Sequence, residues 1–129
     1  MKLLLDTCAF LWFQADSPQI SPAARALILD SSNEVYLSAV SVWEIARKYA
    51  QGGLALPSHP STLIPAVREN SGIASLSLTE ADALAAEKLQ LFHKDPFDRM
   101  LIAQASVEGI ILLTVDAVIA RYPGPVRMM

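Results

Sequence analysis

The sequence predicts a three-layer α/β/α domain with a mostly parallel central sheet, and three observations carry that prediction. Short apolar runs without polar alternation, at residues 3–5 and 110–115, read as strands buried on both faces. Capped helical segments alternate with further strand-like segments from end to end, the order that lays helices over both faces of a parallel sheet. The chain has 129 residues, against about 150 for a typical domain, so residues 1–129 are read as a single domain with one core.

The elements follow in order. Leu3, Leu4 and Leu5 form a strand that stops at Asp6, and residues 8–14, with Phe10, Leu11, Trp12 and Phe13, are too apolar for an exposed helix. Ser21 followed by Pro22 is a helix cap and a first helical residue, continued by strong helix formers to Leu29. Val35, Tyr36 and Leu37 give a β-branched and aromatic strand after the turn formers Ser31, Ser32 and Asn33. Ser41 and Glu44 have capping-box spacing ahead of Ile45, Ala46 and Tyr49, and Gly52 and Gly53 stop that helix. Residues 61–70 form a helix interrupted by Pro65, and residues 73–78 alternate as a strand. Thr79 caps an alanine-rich helix expected to run to about residue 91, and Asp95 with Pro96 starts the next, which Gly109 ends in left-handed conformation. The prolines and glycine at 123–125 turn the chain into a short last strand.

Composition excludes several classes. Hydrophobic residues make up 53% and charged residues 18%, below the roughly 25% charged of an average soluble protein, which excludes a disordered polyelectrolyte. A single cysteine, Cys8, cannot form an internal disulfide. With no signal-peptide pattern at the start, a reducing, cytoplasmic setting is expected. No apolar run approaches the ~20 residues of a membrane span, so no membrane role is expected. The net charge of −3 repels polyanions, and a nucleic-acid partner must therefore be held by a local site.

The informative residues are acids. Strand ends and the starts of the following helices share one rim of a parallel sheet. Asp6 and Asp116 close the two strongest strands, while Glu44 and Asp98 are each expected in the first turn of a helix. Each also has a purely structural reading: Glu44 as a capping-box residue, Asp95 as an N-cap, Asp98 as a dipole partner, Asp6 and Asp116 as turn formers. Those readings do not explain why the acids share a rim, because clustered carboxylates cost stability unless a cation neutralises them. Oxygen-only ligands favour Mg²⁺ or Mn²⁺. His59, His93 and Cys8 lack paired ligand spacing, so zinc is disfavoured, and His93 is read as a loop residue. No Gly-x-Ser-x-Gly, Gly-x-Gly-x-x-Gly or phosphate-cradling Gly-Lys loop is present, which leaves metal-assisted hydrolysis as the first choice.

Four stretches together resemble a PIN domain, in particular the VapC-type ribonuclease toxins of type II toxin–antitoxin pairs. They are Leu3-Leu4-Leu5-Asp6-Thr7, Leu37-Ser38-Ala39-Val40-Ser41-Val42-Trp43-Glu44-Ile45-Ala46, the segment His93-Lys94-Asp95-Pro96-Phe97-Asp98-Arg99 with Met100 to Ala105, and Leu113-Thr114-Val115-Asp116. The resemblance implies that Asp6, Glu44, Asp98 and Asp116 form a catalytic quartet around Mg²⁺ or Mn²⁺, with Asp6 and Asp98 as direct ligands. It also implies adjacent strands bearing Asp6 and Asp116, an RNA substrate, a homodimer and a cognate antitoxin protein that blocks the site. Asp95 is a candidate outer-shell residue, and Arg47, Lys48, Lys94 and Arg99 are candidate phosphate contacts or solvated charges. Val118 stands where the family often has a further acid, which favours one-metal chemistry. Trp12, Phe13, Trp43 and Tyr49 are more aromatic surface than the core requires, with Trp43 expected inside. The alternatives are a non-catalytic PIN-like binding module and a metal-dependent phosphatase on a parallel sheet.

Overall fold

The computed structural model describes residues 1–91 and 93–129. Its strands are β1 (Lys2–Leu5), β2 (Glu34–Ser38), β3 (Ile73–Leu76), β4 (Ile111–Thr114) and β5 (Val126–Met128). The helices are α1 (Thr7–Gln14), α2 (Pro22–Leu29), α3 (Ala39–Ala50), α4 (Pro60–Ser71), α5 (Glu80–Glu87) and α6 (Pro96–Glu108), with a 3₁₀ turn at Ile119–Arg121. The five strands lie in the order β3-β2-β1-β4-β5, and every pairing is parallel. The expected three-layer architecture is therefore present, with a sheet that is wholly parallel.

Strand alternation divides the core into two layers. Leu3 and Leu5 pack with Val35, Leu37, Ile73 and Leu113 on one face, together with Phe10 and Phe13 of α1 and Ala24 and Ile28 of α2. Leu4 and Leu112 point to the other face, against Leu101, Ile102 and Ala105 of α6. Leu3, Leu4 and Leu5 are all fully buried, which is why β1 reads as an unbroken apolar run: it is the middle strand, covered on both sides.

Four expectations need correction. The helix expected to start at Ser41 starts at Ala39, because Ser38, buried at the end of β2, caps it by accepting a hydrogen bond from the Val40 amide at 3.0 Å. Glu44 therefore sits more than a turn inside α3 and is not a capping residue. The helix expected to reach residue 91 stops at Glu87. There the Arg99 guanidinium donates to the carbonyls of Ala86, Leu89 and Gln90, taking acceptors that the next turn needs. Arg99 is thus an end-clamp on α5, and no acid among the described residues forms a salt bridge with it. Trp43 lies outside, 60% exposed, beside Val40, Leu78, Phe97 and Met100. Pro65 does not interrupt α4, which runs through it.

One polar knot ties α5 to α6. Thr79 and Asp82 form a capping box, and Asp82 Oδ2 also accepts a 3.3 Å bond from Gln104 Nε2, which donates to the Ser77 carbonyl at 2.9 Å. Asp82 is fully buried, and its Oδ1 has no hydrogen-bond partner among the described residues. A hydrogen bond to Asp82 pushes the Glu108 carboxyl above its ordinary range. A carboxyl raised in the folded state contributes stability below its ordinary pKa and loses it as pH rises through the raised value. Glu108→Gln supplies an N–H at every pH. Its thermal midpoint is expected above wild type near about pH 7.5 and level with it near about pH 4, as read by circular dichroism; coincident curves at both pH values would refute the shared proton.

Candidate functional site

The strand order reverses direction at β1. The chain steps from β1 to β2 on one side and later returns to pair β4 on the other, and the crevice beyond the strand ends at such a switch point is where parallel sheets place their sites. Leu5 is level with Leu113, so Asp6 and Thr114 come next to each other at that rim. Asp6 is 2% exposed. Its Oδ1 caps α1 by accepting from the Ala9 amide at 2.6 Å, and its Oδ2 accepts from the Thr114 hydroxyl at 2.5 Å and the Val115 amide at 3.2 Å. Burial nevertheless carries the Asp6 carboxyl above the usual range, against these three bonds, and the charge of Asp116 adds to the rise.

Glu44 enters from α3, 4% exposed. Both of its oxygens are engaged: Oε1 accepts from the Thr7 hydroxyl at 2.7 Å and Oε2 from the Lys48 ammonium at 2.6 Å. Ser41 Oγ, buried on the same helix, lies 2.9 Å from the Thr7 hydroxyl and steadies it. Asp98 enters from the first turn of α6, where Asp95 caps the helix by accepting from the Phe97 and Asp98 amides. Burial, then the charges of Asp95, Glu44 and Asp6, push the Asp98 carboxyl up to about 7, while His93 opposes them.

Asp116 follows β4, its Oδ1 fixed by the Val118 amide at 2.8 Å. The Asp116 amide in turn donates to Thr114 Oγ1 at 3.0 Å, so one hydroxyl links Asp6 to Asp116. His93 Nε2 stands 2.9 Å from Asp98 Oδ2 and 3.1 Å from Asp116 Oδ2. Its Nδ1 accepts from the Asp95 amide, which leaves the proton on Nε2, shared between two carboxylates. One ligand atom from each of His93, Asp98 and Asp116 falls within 4.8 Å of the others.

All four expected acids and Asp95 line a single cleft of about 320 Å³, with Thr7, Cys8 and Lys48. Among the described residues, the group of three within mutual ligand distance is Asp98, Asp116 and His93. His93 is a loop residue, as read from sequence, but one that reaches into the site. Arg47 and Lys94 are exposed and lie outside the cleft lining. Lys48 pairs with Glu44 instead of standing free. The supporting hydroxyls of Thr7, Ser41 and Thr114 were not anticipated. Their signal was proximity in sequence to Asp6, Glu44 and Asp116. The Cys8 thiol is pushed up by burial and by the charges of Asp6 and Asp98, so at neutral pH it is a neutral thiol rather than a thiolate ligand.

A cluster of carboxylates at the switch point of a three-layer parallel α/β domain is the class this fold and site define. The family model for the PIN domain matches residues 3–125, and the chain belongs to the PIN domain family. Ribonuclease VapC16 of Mycobacterium tuberculosis (strain ATCC 25618 / H37Rv) is 37% identical over 57 residues, a match covering 44% of this chain and 40% of that protein. Three solved structures share the fold. VapBC2 from Rickettsia felis, bound to a DNA fragment from its promoter, aligns at a TM-score of 0.75 and 14% identity over 99% of this chain and 98% of that one. DNA-bound VapBC from Salmonella typhimurium aligns at 0.68 and 16% identity over 100% and 97%. FitAcB from Neisseria gonorrhoeae aligns at 0.58 and 23% identity over 91% and 89%.

Two outcomes follow. Thr114→Val removes a donor from the buried Asp6 carboxylate and is expected to cost about 1–3 kcal/mol in denaturant unfolding; a cost below about 0.5 kcal/mol would mean that the hydroxyl does not hold Asp6. Because the folded state binds the Asp98 proton more tightly than the unfolded chain, stability without added divalent ion falls as pH rises from about 4 to about 7. Asp98→Asn is expected to flatten that decline in thermal melts, and an unchanged slope would show that Asp98 is not its source.

Proposed function

We propose that this chain is a metal-dependent endoribonuclease, the toxin of a toxin–antitoxin pair, hydrolysing RNA phosphodiester bonds at the cleft formed by Asp6, Glu44, Asp98 and Asp116. The observation that carries the proposal is the convergence of acids from four separate stretches on one cleft, where burial first and the neighbouring carboxylates after it push Asp98 up to about 7. The donor set suits a hard divalent ion, Mg²⁺ or Mn²⁺: it is rich in carboxylate oxygen, it contains no thiolate, and its unneutralised charge is what such an ion relieves. When bound, the ion lowers the pKa of the attacking water and neutralises charge building on the phosphate oxygens.

The protein's own groups set the geometry of that reaction. Asp98 and Asp116 are the ion-holding pair, because their oxygens converge and His93 already bridges them. Asp6, locked by Ala9, Thr114 and Val115, is a fixed negative charge at the floor of the cleft. Glu44 is held in one rotamer by Thr7 and Lys48. The Asp116 side chain, 36% exposed against 17% for Asp98, is the more open of the two ion-holding carboxylates. Asp95 acts from the outer shell through its cap on α6 and its charge on Asp98. Exposed Lys94, beside His93, and Arg47 are available to phosphates of a single-stranded or looped RNA.

The proposed partners follow from the relatives. The neighbouring folds are VapBC and FitAcB structures, two VapBC ones being DNA-bound, which supports a cognate antitoxin for this chain. The exposed Trp43 face supports a homodimer. A cytoplasmic location accords with both. Purified protein incubated with a mixed RNA pool is expected to cut it with Mn²⁺ and not with chelator. Asp98→Asn is expected to lose about a hundredfold or more in rate while melting no lower than wild type, since the substitution relieves repulsion. Cleavage undiminished in Asp98→Asn would remove the proposed mechanism.

A further inference from the structure

The two ends of the cleft differ in how their charge is met. At the Asp98 and Asp116 end, two carboxylates meet the imidazole of His93. At the Glu44 end, a full cation is already in contact: the Lys48 ammonium, one helical turn along α3, lies 2.6 Å from Glu44 Oε2. We propose that Lys48 is the cleft's resident cation, standing where a second divalent ion would otherwise be drawn to Glu44, so that the site takes one divalent ion per chain. This rests on the divalent-ion reading given above and adds to it the stoichiometry and the residue that sets it.

Three observations support the assignment. Glu44 is 4% exposed, so its countercharge must come from protein or bound ion rather than from water. Both of its oxygens already accept a hydrogen bond, one from Thr7 and one from Lys48, so a further ion at Glu44 would have to compete with a cation already in place. The ammonium also belongs to the cleft and not only to its own helix: Lys48 lines the cleft together with Glu44, Asp95 and Asp98. Val118, two residues past Asp116, offers no further carboxylate to a second ion. A surface i,i+4 pair of ordinary kind would stabilise α3 a little and have no bearing on metal count.

The test counts ions. Titration calorimetry with Mn²⁺ is expected to give one ion per chain for wild type and for Lys48→Arg, which keeps the charge. Lys48→Met, which keeps the length and removes the charge, is expected to bind two, with the spin coupling of a neighbouring Mn²⁺ pair visible by electron paramagnetic resonance. The Lys48 side chain is half exposed, and a thermal melt of each variant confirms the folded state before titration. One ion in Lys48→Met, or two in wild type, overturns the inference about Lys48. No Mn²⁺ in wild type at all overturns the divalent-ion reading and this inference with it.

Discussion

Leu5 and Leu113 lie level in the parallel pair β1–β4, and the residues that follow them, Asp6 and Thr114, are joined by a 2.5 Å hydrogen bond. The rest of the site is referred to that junction. It brings the chain's first strand against a strand more than a hundred residues later, with Thr114 holding Asp6 through one lone hydroxyl proton and the Asp116 amide through its oxygen. The apolar residues on both faces of β1 fix the register, since a slip of one residue would turn every side chain to the wrong layer. Packing of leucines therefore decides where two carboxylates meet.

The same arrangement carries an electrostatic cost. Burying several acids around one cleft raises Asp6 and Asp98, and the fold meets that cost piecemeal. Backbone amides and a threonine serve Asp6, Lys48 and Thr7 serve Glu44, and His93 spans Asp98 and Asp116. Asp98 is pushed up to about 7, and its ligand atom lies within 4.8 Å of that of Asp116. Electrostatic cost concentrated at a candidate site in this way matches the usual trade between stability and activity.

Much of the fold was legible in the sequence because its signals are local. Apolar runs marked β1 and β4, Asp95 with Pro96 marked the start of α6, and Gly109 marked its end with φ 68°. The errors fell where local rules met a tertiary competitor. Ser41 looked like a cap, but Ser38 took that role because β2 passes straight into α3, and Ser41 turned inward to Thr7. α5 looked longer because nothing nearby announces that Arg99, on the next helix, will seize its last carbonyls. Trp43 looked like core because large aromatics usually are, yet its position on α3 faces away from the sheet.

The sequence by itself determined the layer architecture, the strand-end positions of Asp6 and Asp116, and the resemblance to PIN domains, since periodicity and short motifs are written along the chain. Tertiary structure alone decided that Glu44 would be clasped by Thr7 and Lys48 and that His93 would bridge two aspartates. Those contacts depend on distances between segments far apart in sequence, and such distances are set by how strands pair and helices pack, not by any run of neighbouring residues.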